Sequence, residues 1–166
     1  MDGWTIIEAD EQHLDTVVEL WTELMQYHSE RDVRFTSRKG AHVLFRDYAK
    51  QYIEREDGKL WLAFVDDQPA AYVTARFSTT PPVFVGQETV ILEDMVVREP
   101  FRRMGLGREL TQRVIDWAQA ESRDNVQLQV AEVNPEGQKF WREMGFRDIT
   151  RVMRYELGVH KRWDEK

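Results

Sequence analysis

At 166 residues the chain is long enough for one domain with a single sizeable core, and a composition of 42% apolar and 32% charged residues is an ordinary globular mixture. The formal net charge of −7 argues against nucleic acid as the main partner, since that binding rests on neutralising phosphates, and weakly favours a cationic substrate. Cysteine is absent, which excludes disulfides, thiolate metal sites and a cysteine nucleophile; with no signal-peptide pattern and no run long enough for a membrane span, a cytoplasmic protein without membrane contact is expected.

Taken in order, Trp4–Glu8 reads as a short strand. Asp10 then caps a helix in which Leu14, Val17, Val18, Trp21, Leu24 and Met25 recur at helical spacing. The period lapses in the polar stretch Tyr27–Lys39, and a second helix follows with Ala41, Leu44, Phe45, Tyr48 and Tyr52 on one face, ending in the charged turn EREDGK. From Leu60 the period changes to that of strands. LWLAFV and AAYVTARF flank DDQP and predict an antiparallel hairpin. Pro81 and Pro82 break the chain before a long strand, ETVILEDMVV. Leu106, Leu110, Val114, Trp117 and Ala118 form the stripe of a third helix, followed by the strand VQLQV. NPEGQKFWREMGF is a fourth helix, with Asn134 as cap, Pro135 at its first position and Gly145 at its close. ITRVMRYEL predicts a last strand, and GVHKRWDEK (158–166) is a charged tail. The order β-α-α-β-β-β-α-β-α-β is that of a mixed α/β single domain spanning 1–166, with its core at about 4–157.

The densest signal sits where the fourth strand becomes the third helix. Arg98, Arg102 and Arg103 cluster there with Gly105 and Gly107. A strand feeding a helix through glycines turns backbone N–H groups toward an anion, and the helix dipole adds favourable field. The Walker pattern fails, because Arg108 and Glu109 follow Gly107, and the dinucleotide pattern fails because Leu110 stands where a third glycine belongs. Arg102-x-x-Gly105-x-Gly107 after an apolar strand remains.

LEDMVVREPFRRMGLGRELTQRVIDWA, then VQLQV and NPEGQKFWREMGF, resembles the GNAT superfamily of N-acetyltransferases. Arg102, Gly105 and Gly107 match its Arg/Gln-x-x-Gly-x-Gly/Ala signature; Asn134, Phe140, Gly145 and Phe146 match its Asn-led helix closing in Gly-Phe. The resemblance covers about Trp4 to Leu157 and implies a mostly antiparallel sheet, splayed at its centre between strands 90–97 and 126–130 and flanked by helices. It implies acetyl-CoA as co-substrate. Backbone of Arg102, Arg103, Met104, Gly105, Leu106, Gly107 and Arg108 would hold the pyrophosphate, and pantetheine would lie along Met95, Val96 and Val97. Asn134, Phe140 and Trp141 complete that side. The loops near Tyr27–Phe35 and Thr79–Val85, with His28, Glu30 and Phe84, are the acceptor-binding candidates. Dimerisation is common among relatives, and a homodimer is the corresponding expectation.

Transfer of acetyl to a primary amine needs removal of the ammonium proton, since an alkylammonium with a pKa near ~10.4 cannot attack. Glu93 and Asp94 lie mid-strand; Glu93, directly or through water, is taken as the base and Asp94 as secondary. In a regular strand the two point to opposite faces, and only a bulge would bring them together. Trp141 stands where many relatives carry a tyrosine that protonates the departing sulfur, and an indole N–H is no useful proton donor. Tyr155 on the last strand is the other hydroxyl considered, more readily read as an aromatic packed on the sheet. The four histidines (His13, His28, His42 and His160) are too dispersed for a zinc pattern, so no metal is expected, and no G-x-S-x-G turn marks a hydrolase. The function expected is acetyl-CoA-dependent N-acetyl transfer to a small amine in a ternary complex. A non-catalytic acyl-CoA-binding module and a protein or peptide N-acetyltransferase are the alternatives.

Overall fold

A computed structural model describes residues 3–78 and 88–155. Strand β1, Trp4–Glu8, leads to a 3₁₀ turn over Glu11–His13 in which the Asp10 carboxylate accepts from the Gln12 N–H and His13 Nδ1 accepts from the Asp10 N–H. This reciprocal cap starts helix α1, Leu14–Ser29. The helix runs past the point where its apolar period lapses, so Tyr27 and His28 are helical rather than part of a loop. Polar pairs carry the last turn: Gln26 donates to Glu30 at 3.0 Å, and Arg31 donates to the Tyr27 carbonyl while lying 3.5 Å above the Tyr27 ring.

Helix α2, Ala41–Glu54, starts at Gly40, whose φ of 78° is left-handed. Strands β2, Gly58–Val65, and β3, Gln68–Ser78, form the predicted hairpin, longer than the apolar pattern implies and closed by Asp66 and Asp67 alone. Both have positive φ (48° and 61°), the geometry of a two-residue turn that matches strand twist. Asp67→Gly is therefore expected to stabilise the fold by roughly 1 kcal/mol, read as a rise in melting temperature.

Strand β4, Thr89–Val97, helix α3, Leu106–Ala120, strand β5, Asn125–Leu128, and helix α4, Pro135–Glu143, complete the regular elements. The sheet order is β1-β2-β3-β4-β5; β4 and β5 are parallel and the other neighbours antiparallel. Successive residues of β2 and β3 face opposite cores. Leu60, Leu62 and Tyr72 pack with Leu14, Val17, Leu20, Phe45 and Ala49 of α1 and α2. Trp61, Ala63 and Val73 pack with Leu106, Leu110 and Val114 of α3. Burial on both faces explains why these strands read as unbroken apolar runs.

Helix α4 follows its sequence signals closely. The Asn134 side chain accepts from the Gly137 N–H at 3.0 Å. At the other end Gly145 (φ 93°) donates to the Arg142 carbonyl and Phe146 to the Trp141 carbonyl, with the Trp141 and Phe146 rings 5.4 Å apart. That is a Schellman closure with its apolar contact. The last predicted strand is not formed: residues 149–155 are without regular structure, and Ile149, Val152, Met153 and Tyr155 are exposed. Apolar alternation shows which residues prefer a strand, but only pairing with a neighbouring strand makes one, and among the described residues no strand pairs with this segment. The end of that segment, the 158–166 tail with His160, and the PPVF stretch with Phe84 lie outside the described residues.

Candidate active site

Ladder register decides the geometry of the two carboxylates. Thr74 of β3 pairs with Asp94, and the next residue, Ala75, pairs with Leu92, so Glu93 is an extra residue opposite nothing. This bulge reverses the strand's facing. Val90 and Leu92 belong to the α3 core, but beyond the bulge so do Met95 and Val97, while Val96 joins the α1/α2 core. Glu93 and Asp94 thus fall on the same side, as the bulge named above would require.

Their environments differ. Glu93 Oε2 accepts from the hydroxyls of Tyr48 and Tyr52 (2.7 Å from Tyr52), and Oε1 accepts from Arg76 Nε at 2.5 Å. Burial opposes its charge, but the tyrosine hydrogen bonds and the Arg76 guanidinium outweigh it and hold the carboxyl below its ordinary range. Asp94 has no side-chain hydrogen-bond partner among the described residues. Burial, with negative Glu93 adding to it, pushes Asp94 up to about 6. One carboxylate is a fixed anion; its neighbour titrates close to neutrality.

The sheet opens at the same place. Strand β5 pairs with β4 only from Thr89↔Asn125 to Leu92↔Leu128, so the ladder ends one residue before the bulge and stops short of the predicted Val130. From Glu93 to Val97, β4 has β3 on one side and, among the described residues, no strand on the other. Val97 offers its carbonyl there to Arg102 Nε at 3.1 Å.

At the end of β4 the chain turns through a 3₁₀ turn, Glu99–Phe101, into α3. Arg103 and Gly105 both have positive φ (63° and 99°). No side chain caps α3, and the N–H groups of Leu106, Gly107 and Arg108 find no acceptor among the described residues. Gly107 serves packing instead of conformation: a Cβ there would touch Phe140 at 3.4 Å and Val97 at 3.6 Å. Arg102, Arg103 and Arg108 make no ion pair among the described residues. Arg98 does: it pairs with Glu19 and Glu23 of α1 and donates to the Pro69 carbonyl at 2.9 Å, so this arginine ties α1 to the sheet and is not available to an anion. Unpaired N–H groups at a helix start, near three guanidinium groups that make no ion pair among the described residues, are chemically suited to a pyrophosphate.

A model of the acetyltransferase (GNAT) family matches residues 17–146. The chain belongs to the acetyltransferase (GNAT) family. Among curated proteins, this GNAT chain is 26% identical over 101 residues to the probable N-acetyltransferase camello of Xenopus tropicalis. That match covers 61% of the chain and 44% of the relative, so the chain spans under half the length of the curated relative it matches. Among solved structures, a tetramutant of the BH1408 protein from Bacillus halodurans is 26% identical, with a TM-score of 0.82, covering 92% of this chain and 99% of the other. Aminoglycoside N-acetyltransferase AAC(6')-Iy in complex with CoA has the same fold at 18% identity and a TM-score of 0.70, covering 92% of this GNAT chain and 93% of that one.

In this GNAT chain, Met95 and Val97 face α3, with Thr111 Oγ1 donating to Met95 Sδ at 3.8 Å, and Val96 is buried on the opposite face. Asn134 caps α4 and also accepts from the Tyr27 hydroxyl at 3.4 Å, joining α1 to α4. His28 packs behind Phe35 (ring centroids 5.1 Å), and Glu30 is on the surface; neither lines the cavity between α1 and α2. Tyr155 is 86% exposed, against the reading of an aromatic packed on the sheet. Tyr48, Tyr52 and Arg76 are functional neighbours the sequence reading overlooked. Two tyrosines at helical i, i+4 spacing and a lone arginine inside the apolar strand AAYVTARF were the available signals.

Proposed function

We propose that this GNAT-family acetyltransferase is a one-domain, acetyl-CoA-dependent N-acetyltransferase acting on a primary amine in a ternary complex. The supporting observation is the coincidence of three features at one point of the sheet: the bulge, the opened β4 edge, and the uncapped start of α3. Acetyl-CoA supplies the acetyl group as a thioester. The N–H groups of Leu106, Gly107 and Arg108, with Arg102 and Arg103, bind the pyrophosphate; Gly107 leaves room for Phe140 and α4 to close on the same side. The open backbone edge beyond Glu93 receives the pantetheine amides, and its N–H groups polarise the carbonyl under attack.

Asp94 accepts the amine proton. A base with a pKa near neutrality is matched to that task, and a carboxylate without hydrogen-bond partners is available for it. Glu93, saturated by Tyr48, Tyr52 and Arg76, positions Asp94's charge state instead: its fixed negative charge raises its neighbour. The amine nitrogen bonds to the acetyl carbon as the carbon–sulfur bond breaks; the departing sulfur takes up the proton held by Asp94, and the restored Asp94 carboxylate takes the second nitrogen proton, leaving the amide, and passes it to water. Trp141 is not required for that step.

Calorimetric titration with CoA, followed by a thiol-release assay with acetyl-CoA and a panel of amines, tests the reading. Saturable heat and amine-dependent thiol release are expected. No heat with CoA overturns the site, and heat without thiol release across the panel would leave a CoA-binding module instead of an enzyme.

A further inference from the structure

Beyond Tyr48, on the side away from the sheet, lies a cavity of about 460 Å³ between α1, α2 and the segment joining them. Its floor is aromatic: Trp21 and Phe45 stack with ring centroids 4.3 Å apart and planes 8° from parallel. Met25, Phe35 and Leu44 extend the apolar wall, and Phe35, Leu44 and Tyr48 are among the exposed large apolar side chains. The charged groups lining it are Arg34 and Arg38, and no carboxylate lines it. Arg34 is engaged by Asp32, whereas Arg38 makes no ion pair among the described residues. In a chain with a net charge of −7, a cavity whose charged lining among the described residues is Arg34 and Arg38 runs against the overall balance.

Tyr48 both lines the cavity and donates to Glu93, beside Asp94. A substrate whose amine reaches Asp94 past Tyr48 would lay its remaining body over Trp21 and Phe45. From Tyr48 back to Ala41, α2 rises on the order of 10 Å, at ~1.5 Å per residue, and Arg38 stands just before that end. We propose that the acceptor is a primary amine with a flat or branched apolar body and, at its far end, a carboxylate. Amine, apolar surface and anion then meet Asp94, the Trp21–Phe45 floor and Arg38 in that order. A polycation such as an aminoglycoside or a polyamine would instead set its extra ammonium groups against two arginines, with no carboxylate lining the cavity to receive them.

This inference rests on the acetyltransferase reading for where the amine goes, so the cavity is tested by binding as well as by turnover. The probes are 4-(2-aminoethyl)benzoate, its uncharged counterpart 2-phenylethylamine, spermidine and kanamycin, titrated calorimetrically into the protein with and without CoA and assayed for thiol release with acetyl-CoA. The benzoate is expected to bind about twofold to fivefold more tightly than phenylethylamine, as one solvent-facing ion pair allows, and to show the lower KM. Arg38→Ala is expected to erase that ratio, and Leu44→Asp, which puts a carboxylate on the apolar wall, to weaken both aromatic probes. Tighter binding of spermidine or kanamycin than of the benzoate, or a ratio unmoved by Arg38→Ala, overturns the proposal. Selective binding of the benzoate without thiol release from any amine would retain the cavity's preference and count against the acetyltransferase reading instead.

Discussion

Replacing Gly105 by valine will weaken CoA binding by at least about a hundredfold while leaving a folded protein. Two effects act together. Gly105 sits at φ 99°, where a β-branched residue is strained by on the order of 1–3 kcal/mol, and relief of that strain requires the start of α3 to rotate. Rotation moves the N–H groups of Leu106, Gly107 and Arg108 away from a common anion. Strain alone is separated from the loss of the site by Gly40→Val. Gly40 has a φ of 78° at the start of α2 and open space around it, so the same substitution carries comparable strain without touching the proposed CoA groups. The two variants should melt at similarly lowered temperatures, and only Gly105→Val should lose calorimetric binding of CoA. Equal affinities in the two would remove the α3 start from the binding site.

Asp94→Asn is expected to lower kcat/KM by about 10²–10³ at pH 7.5, the range of a lost general base. In the parent protein kcat/KM should fall as pH drops through about 6, where Asp94 takes up a proton. Glu93→Gln gives the sharper test. Negative Glu93 raises Asp94, so its neutralisation should move the acid limb to lower pH, with activity retained; Glu93 as base would instead predict loss of the reaction. Stability responds in the opposite sense from activity. Asp94 has its folded pKa raised from 3.8 to about 6, so the native state holds the proton more tightly than the unfolded chain, and stability present below about pH 4 is lost as pH rises through 6. A shift of about two units corresponds to at most about 3 kcal/mol, so Asp94→Asn should melt higher than the parent at neutral pH. A variant no more stable than the parent would show that the Asp94 carboxylate is not strained, and one with unchanged kcat/KM would remove Asp94 as the base.

Much of the site was legible because its signals are local. The turn from β4 into α3 has glycine at the positive φ of Gly105 and at Gly107, where Phe140 and Val97 approach, and both are written in one short stretch. The cap and closure of α4 are written the same way in Asn134, Pro135 and Gly145. Glu93 and Asp94 were recognisable as charges in an apolar strand, but their ranking was not. That ranking depends on Tyr48, Tyr52 and Arg76, which lie 45, 41 and 17 residues away along the chain. The same holds for Arg98: as one of three clustered arginines it reads as an anion ligand, and only the approach of Glu19 and Glu23, 79 and 75 residues distant, assigns it to α1.

By itself the amino-acid order determined the succession of elements through β5 and α4, the apolar stripes of the helices and the phosphate-type turn, because periodicity, capping and glycine placement act over a few residues. Tertiary structure decided which carboxylate is free to titrate, where the sheet parts, and what charge lines the cavity beyond Tyr48. Those properties arise from ladder register and from side chains meeting across long loops; one inserted residue at Glu93 reverses the facing of a strand without changing its composition.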